Sequence, residues 1–167
     1  YLSDSQTGNH KQNLQDWMDV SDRSVMHFNV PSSMDNDHAP AQNDYNTRIE
    51  NQVRNLLTGQ SPPELIVMST KKNSDNISPF NEVINELQGS IPGRFKLYVV
   101  NDEADAQTVL KSLDKPNEAY VELEKLAENA DGVIHVTATP QAVLAIPYYH
   151  ILAPCSVTVM QRPSSYV

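Results

Sequence analysis

The chain has 167 residues, a length for which one domain is expected, and a net charge of −9, with 12 Lys and Arg against 21 Asp and Glu. Since nucleic acids and anionic membranes bind clustered basic side chains, this balance argues against both as partners. The single cysteine excludes an internal disulfide and favours a reducing, cytoplasmic compartment. Without a run of about 18 apolar residues, we expect no direct insertion of the chain into a membrane.

Composition divides the chain into three parts. Residues 1–22 are polar and predict a flexible N-terminal segment. Residues 23–162 hold the periodic apolar patterns and predict a single α/β domain, and residues 163–167 predict a polar C-terminal tail. The sequence starts at Tyr1 rather than at a methionine, so we expect it to be a piece of a longer protein.

The first apolar pattern, residues 24–30, alternates well enough to predict a strand, which Pro31 ends. The loop after it holds Asp35, Asp37 and His38, whose side chains are of types that ligate metals. Flexible polar loops often contain such runs, so we predict a plain loop here and no metal site.

A helix, a strand and a second helix follow. Residues 44–57 repeat apolar side chains at the helical period, and Gly59 follows as a stop signal. Residues 64–70 form the clearest strand pattern of the chain. Pro79 suits the first turn of the next helix, which Gly89 closes. A strand followed by a loop and a helix is half of a βαβ unit.

The second half of the chain continues the alternation. Residues 94–100, 133–136 and 157–160 are rich in β-branched or aromatic side chains and predict strands, whereas residues 103–113 and 118–128 predict helices. Five predicted strands therefore alternate with helices. This pattern predicts an α/β fold with a Rossmann-like, largely parallel five-stranded sheet and helices on both faces.

Hydroxyl and amide side chains occur where the predicted strands end, and open α/β sheets bind ligands beyond the carboxyl ends of their strands. The candidate ligand-loop residues are Ser69, Thr70, Asn101, Thr137 and Thr139. Phosphate binding needs glycines that let backbone amides approach closely, and the loops after these strands have none. We therefore predict no cofactor, although a neutral ligand stays open.

Cysteine chemistry would require Cys155 as nucleophile with His135 or His150 as base. Spacing along the chain does not bring these residues together. We therefore favour a buried structural thiol and, at His135, a core histidine whose nitrogens are hydrogen-bonded. We predict no catalytic residue and no enzymatic activity.

Residues 140–152 are apolar almost all round, so this segment is expected to be buried or to face a partner. Pro147 must kink or split a helix here. We predict that this segment and the strand after it join two copies of the chain, while completion of the core within one molecule is the competing interpretation. The predicted interface residues are Ala145, Ile146, Tyr148, Tyr149, Ile151, Val157 and Val159.

The end of the chain resembles the universal stress protein superfamily. In that family an Ala-Asp pair precedes a strand, and a loop and helix lead to an Ala-Pro-Cys segment and a final hydrophobic strand. The matching residues here are 130–136 and 152–159. Nucleotide-binding members carry a glycine-rich loop between the two strands, where this chain has Thr-Ala-Thr-Pro-Gln-Ala-Val at 137–143. The resemblance therefore implies the fold without its phosphate cradle.

Similar domains that lack this loop form the cytosolic C-terminal regions of cation–chloride cotransporters, related amino-acid permeases and plant-type cation/proton exchangers. The passage from Leu123-Glu124-Lys125-Leu126 through Ala130 into the next strand looks like their terminal helix and strand. The resemblance implies a non-enzymatic regulatory or dimerisation domain on the cytosolic face of a membrane, with the membrane part of its own chain as a partner. The alternative is a small-molecule sensor of the nucleotide-binding type.

Overall fold

The computed structural model describes residues 2–3, 25–29, 39–105 and 117–160, and the side chains within residues 46–105 and 117–160. In this part of the chain strands and helices alternate. The strands are β1 (Leu2–Ser3), β2 (Val25–Asn29), β3 (Leu65–Lys71), β4 (Tyr98–Asp102) and β5 (Gly132–Val136). The helices are α1 (Ala39–Thr58), α2 (Ser74–Ser90), α3 (Glu118–Glu128) and α4 (Gln141–Leu144).

All strand pairs are parallel, and the order across the small sheet is β2-β3-β1-β4-β5. The two-residue strand β1 joins the halves, because Leu2 lies level with Thr70 of β3 on one side and with Asn101 of β4 on the other. Parallel strands separated by helices confirm the predicted α/β class.

One prediction about a strand is wrong. Residues 157–160 form no strand, although their side chains favour one, because strand propensity stabilises a strand only where a neighbouring edge accepts its hydrogen bonds. Leu2 and Ser3, within the segment predicted to be flexible, lie in the sheet, and the rest of residues 1–22 lies outside the described residues.

β4 begins later than predicted because Leu97 pairs with the turn before β5. The Asp131 amide donates to the Leu97 carbonyl at 2.8 Å, and the Leu97 amide donates to Asp131 Oδ2 at 2.8 Å. This reciprocal pair sets the common starting level of β4 and β5, whose residues then match one to one from Tyr98 and Gly132 onward.

Helix limits follow the capping residues more closely than the apolar pattern. α2 starts five residues before Pro79, because Asn73 Oδ1 accepts a hydrogen bond from the Asn76 amide at 3.0 Å. α3 has the predicted limits and is capped by Asn117. Of the helix predicted over residues 103–113, residues 103–105 form a turn, and residues 106–116 lie outside the described part.

The core lies where α1, α2 and α3 pack side by side against the sheet, with α2 in the middle. Polar side chains fix α2 against α3: Asn81 Nδ2 donates to the Glu122 carbonyl at 2.9 Å, and Gln88 Nε2 donates to the Asn129 carbonyl at 2.7 Å. The buried apolar residues include Val53, Met68, Ile77, Phe80, Leu87, Val99, Leu123, Leu126 and Leu152.

Two further properties of the described residues concern membrane spans and metal ligands. No helix among them is long and apolar enough to cross a membrane. Within these same residues there is no group of three His, Cys, Asp or Glu side chains that could hold a metal ion. The loop with Asp35, Asp37 and His38 lies outside them.

Candidate functional site

The candidate ligand-loop residues meet at one edge of the sheet, because parallel strands bring their carboxyl ends together. Three of them are inaccessible: Ser69, Thr70 and Asn101 have exposed fractions of 2%, 1% and 0%. Thr137 is half-buried and Thr139 is exposed in the loop after β5. A ligand could touch the first three only after the edge had opened.

Lys72 fills part of this edge, and the sequence did not single it out. Its side chain is buried, and Nζ donates to the carbonyls of Asp102 at 2.7 Å and Glu103 at 2.5 Å. Glu103 has a φ of 48°, in the left-handed region that non-glycine residues avoid. The lysine therefore stabilises the strained turn after β4. The position of Lys72 directly after β3 is the feature of the sequence that could have indicated this role.

Asp105 ties the loop after β4 to the loop after β5. Its carboxylate accepts hydrogen bonds from the hydroxyls of Thr137 and Thr139. These two hydroxyls are the main cause of a lowered pKa for Asp105, and the nearby Lys72 charge contributes less. The two threonines predicted to contact a ligand therefore donate to a carboxylate of their own chain.

His135 joins β4, β5 and the segment after α4. Its Nε2 lies 3.1 Å from the Leu152 carbonyl and its Nδ1 lies 3.1 Å from Asn101 Nδ2. A carbonyl only accepts, so Nε2 carries the proton and Nδ1 accepts from the asparagine amide. Burial lowers the pKa of His135 and the Lys72 charge acts in the same direction, whereas the hydrogen bond to the Leu152 carbonyl opposes them by favouring the protonated ring. Both ring nitrogens are hydrogen-bonded, as predicted, but the side chain is half-buried rather than part of the core.

Two surface cavities lie away from this edge. One, of about 500 Å³, lies between the starts of α2 and α3 and is lined by Ser74, Asp75, Glu118 and Glu122, among others. The other lies between α1 and α2 and includes Glu50. Both are rich in carboxylates and contain none of the candidate ligand-loop residues.

The predicted interface residues are mostly on the surface. Tyr148, Val159 and Tyr149 have exposed fractions of 94%, 84% and 79%, and the two tyrosine rings meet edge to face at 5.6 Å. Ile146 is partly buried and packs against the core. We call residues 144–160 the contact segment; its large exposed apolar side chains are Leu144, Tyr148, Tyr149, Ile151, Val157, Val159 and Met160.

The stretch from β5 to the end of the contact segment carries no formal charge. Between Gly132 and Met160 there is no Asp, Glu, Lys or Arg, although 20% of the chain is charged. This lack of charge is readable from the sequence alone and adds to the apolar pattern of residues 140–152. Ile134 and Val136 are exposed as well, so the apolar surface continues onto β5, the outermost strand of the sheet.

The contact segment is fastened to the domain at residues 150–152. His150 Nε2 lies 2.7 Å from Glu124 Oε1, and the Tyr120 hydroxyl lies 3.2 Å from the same nitrogen. The Leu152 amide donates to His150 Nδ1 at 3.2 Å, and the Leu152 side chain is buried in the core. Burial, followed by the Glu124 charge, raises the pKa of Tyr120 to about 12.

Cys155 is exposed, so the prediction of a buried thiol is wrong. The residue precedes the unpaired stretch 156–160, which does not cover it. The two histidines considered as bases are engaged elsewhere, His135 with Asn101 and the Leu152 carbonyl, and His150 with Glu124. Among the residues that the structure describes, neither of these two histidines is paired with Cys155.

Comparison of the chain with protein-family models, with curated proteins and with solved structures finds no match.

Proposed function

We propose that this chain is a non-enzymatic regulatory domain that forms a homodimer through its contact segment and thereby passes conformational changes between subunits. The observation that carries the proposal is the exposed, uncharged apolar surface of residues 144–160. Large exposed apolar patches bounded by polar surface are typical of protein–protein contacts.

Charge supports a second copy as the partner. Each chain carries −9, so two copies repel each other through most of their surface. The stretch 132–160 is free of formal charge, and contact there brings no like charges together. Burial of apolar surface contributes about 25 cal/mol per Å². Exposed tyrosines such as Tyr148 and Tyr149 are frequent anchors of such interfaces.

The transporter context of the proposal rests on the resemblance of residues 130–136 and 152–159 to universal-stress-protein-like domains of transporter tails. In that context the domain lies on the cytosolic side of a membrane and also contacts the membrane part of its own chain. We further propose the finer form of the fold, a Rossmann-like sheet with helices on both faces. The parallel strand register supports the Rossmann-like sheet, while α1, α2 and α3 lie side by side in one layer, so helices on the second face are the part of the proposal that goes beyond them.

A small-molecule sensor is the alternative function, and it has less support. Thr70 and Asn101 are buried, and Thr137 and Thr139 donate to Asp105. Thermal-shift measurements with ATP, AMP and cyclic dinucleotides test this alternative directly. A marked rise in melting temperature with one of them would favour the sensor.

Sedimentation velocity over a range of protein concentrations tests the dimer. Replacement of both exposed rings, Tyr148→Ser with Tyr149→Ser, should weaken association at least about thirtyfold, as expected for the loss of an interface anchor worth about 2 kcal/mol. The matched control is Tyr98→Ser, which removes a half-exposed tyrosine outside the contact segment. A wild-type chain that stays monomeric at high concentration, or a control as weak as the double variant, would contradict the proposal.

A further inference from the structure

We propose that His135 is a proton-sensitive clasp that holds the contact segment on the sheet, so that protonation of its imidazole loosens the segment and weakens the homodimer. The inference rests on the proposed function, since it concerns how the same contact is regulated.

The clasp is a chain of three groups that crosses from the sheet to the contact segment. Asn101 on β4 donates to His135 Nδ1, and His135 Nε2 donates to the carbonyl of Leu152, each over 3.1 Å. Leu152 is the one large apolar side chain of the contact segment that is almost fully buried. The imidazole therefore holds the segment at its anchoring residue, while the flanking tyrosines stay exposed.

A second proton on His135 does not fit this arrangement. The new Nδ1 hydrogen would point at Asn101 Nδ2, which is a donor, so the asparagine bond is lost unless the amide turns over, while the Nε2 bond to the Leu152 carbonyl gains strength. The new charge would also lie in a half-buried place near the Lys72 ammonium group. Asn101 and Lys72 face the imidazole from the sheet side, and the Leu152 carbonyl faces it from the contact segment. The Leu152 amide donates to His150, which in turn lies beside Glu124 and Tyr120.

The sign of the pH dependence follows from the lowered pKa of His135 in the closed form. An open form, in which water surrounds the imidazole, takes up a proton near the ordinary value of about 6.5. The closed form is therefore most stable relative to the open form above about pH 6.5, and this stability decreases as the pH falls towards the lower pKa of the closed form. One proton per chain changes the closing equilibrium by at most about tenfold per pH unit.

His150 provides an internal contrast. His150 also bonds to Leu152, whose amide donates to His150 Nδ1 at 3.2 Å, but its other ring nitrogen lies 2.7 Å from Glu124 Oε1 of α3 instead of bonding to the sheet. Replacement of His150 therefore leaves the bonds of His135 to Asn101 and to the Leu152 carbonyl in place. It serves as the matched control for His135.

The variant His135→Gln keeps the hydrogen bonds and removes the titration. A glutamine amide nitrogen can donate to the Leu152 carbonyl, and its oxygen can accept from Asn101. Sedimentation equilibrium at about pH 7.5 and about pH 5.5 should show a dissociation constant that rises at least about fivefold in the wild type and in His150→Gln. His135→Gln should lose most of the pH dependence, so that its dissociation constants at the two pH values differ by less than about twofold.

Hydrogen exchange of residues 141–153, corrected for the intrinsic effect of pH, reports the clasp without requiring a dimer. Faster exchange at the lower pH in the wild type, but not in His135→Gln, is the expected result. The proposal is contradicted if hydrogen exchange in the wild type does not become faster at the lower pH, or if it becomes faster to the same extent in His135→Gln. A monomeric chain with the expected exchange pattern would remove the proposed dimer and leave the clasp itself standing.

Discussion

The helical half of the domain and the stretch from β5 to Met160 use apolar side chains in opposite ways. In α1, α2 and α3, apolar side chains occur on one face of each helix and are buried against each other, while charged residues cover the outside. In residues 132–160 no formal charge occurs, and Leu152 and Val143 are the apolar residues that are nearly fully buried. The first region completes its own packing, and the second presents apolar surface.

This difference indicates which region stabilises the fold and which is available for contact. A buried helix face stabilises the monomer by removing its own apolar surface from water. An exposed apolar surface offers the same free energy only to a partner. The residues at the border, Tyr120, Glu124 and His150, join α3 to the contact segment and determine how firmly the two regions are coupled.

The strongest test of the contrast is a matched pair of truncations. Leu123→Ala, at a fully buried position of α3, should lower the free energy of unfolding by about 3 kcal/mol, because it removes core contacts and leaves a cavity. Val159→Ala, at a highly exposed position of the contact segment, should change it by less than about 0.5 kcal/mol when both proteins are measured at a concentration at which the chain is monomeric. Urea unfolding of the two variants and the wild type measures both. Similar losses in both would remove the distinction between the regions.

The border between the regions should be sensitive to alkali through Tyr120. Its pKa of about 12 exceeds the ordinary value of about 10, so the unfolded chain loses this proton first. The contribution of Tyr120 to stability is therefore complete below about pH 10 and falls as the pH rises towards 12. At about pH 11 the loss should be on the order of 1 kcal/mol.

Unfolding by urea at about pH 8 and about pH 11 measures this loss in the wild type and in Tyr120→Phe. All other groups titrate in both proteins, so the difference between their pH dependences isolates Tyr120. Absorbance at the tyrosinate band should lose its latest-titrating component in the same variant. An equal decrease of the free energy of unfolding in both proteins would show that the Tyr120 hydroxyl is not buried beside Glu124 as described.

The smallest effect concerns helix capping, which also separates the two regions. Asn73 caps α2 through its side chain, whereas the short helix α4 has no side-chain cap. Asn73→Ala should cost about 1 kcal/mol of stability, and Asn73→Ser, which retains an acceptor oxygen, should cost clearly less. Thermal unfolding of the two variants distinguishes them. A melting temperature of Asn73→Ala equal to that of the wild type would show that the cap does not stabilise the first turn.

Local patterns predicted the helical half well and the C-terminal stretch poorly. α3 was predictable to its limits, because the apolar period and the cap at Asn117 agree. The predicted start of α2 at Pro79 lies five residues after its observed start at Ser74, because the capping side chain of Asn73 is not part of the apolar period. The strand expected at 157–160 and the buried Cys155 failed for one reason: both required a neighbour that the described part of the sheet does not provide.

The sequence by itself determined the α/β class, the parallel alternation of strands and helices, and the apolar, uncharged composition of the last third. These properties depend on periodicity, capping and composition, which are local. Tertiary structure alone decided that Lys72 closes the carboxyl edge, that Asp105 takes the hydroxyls of the loop after β5, and that His135 reaches Leu152. Each of these contacts joins residues at least 17 positions apart, and only the packing of the chain brings such residues together.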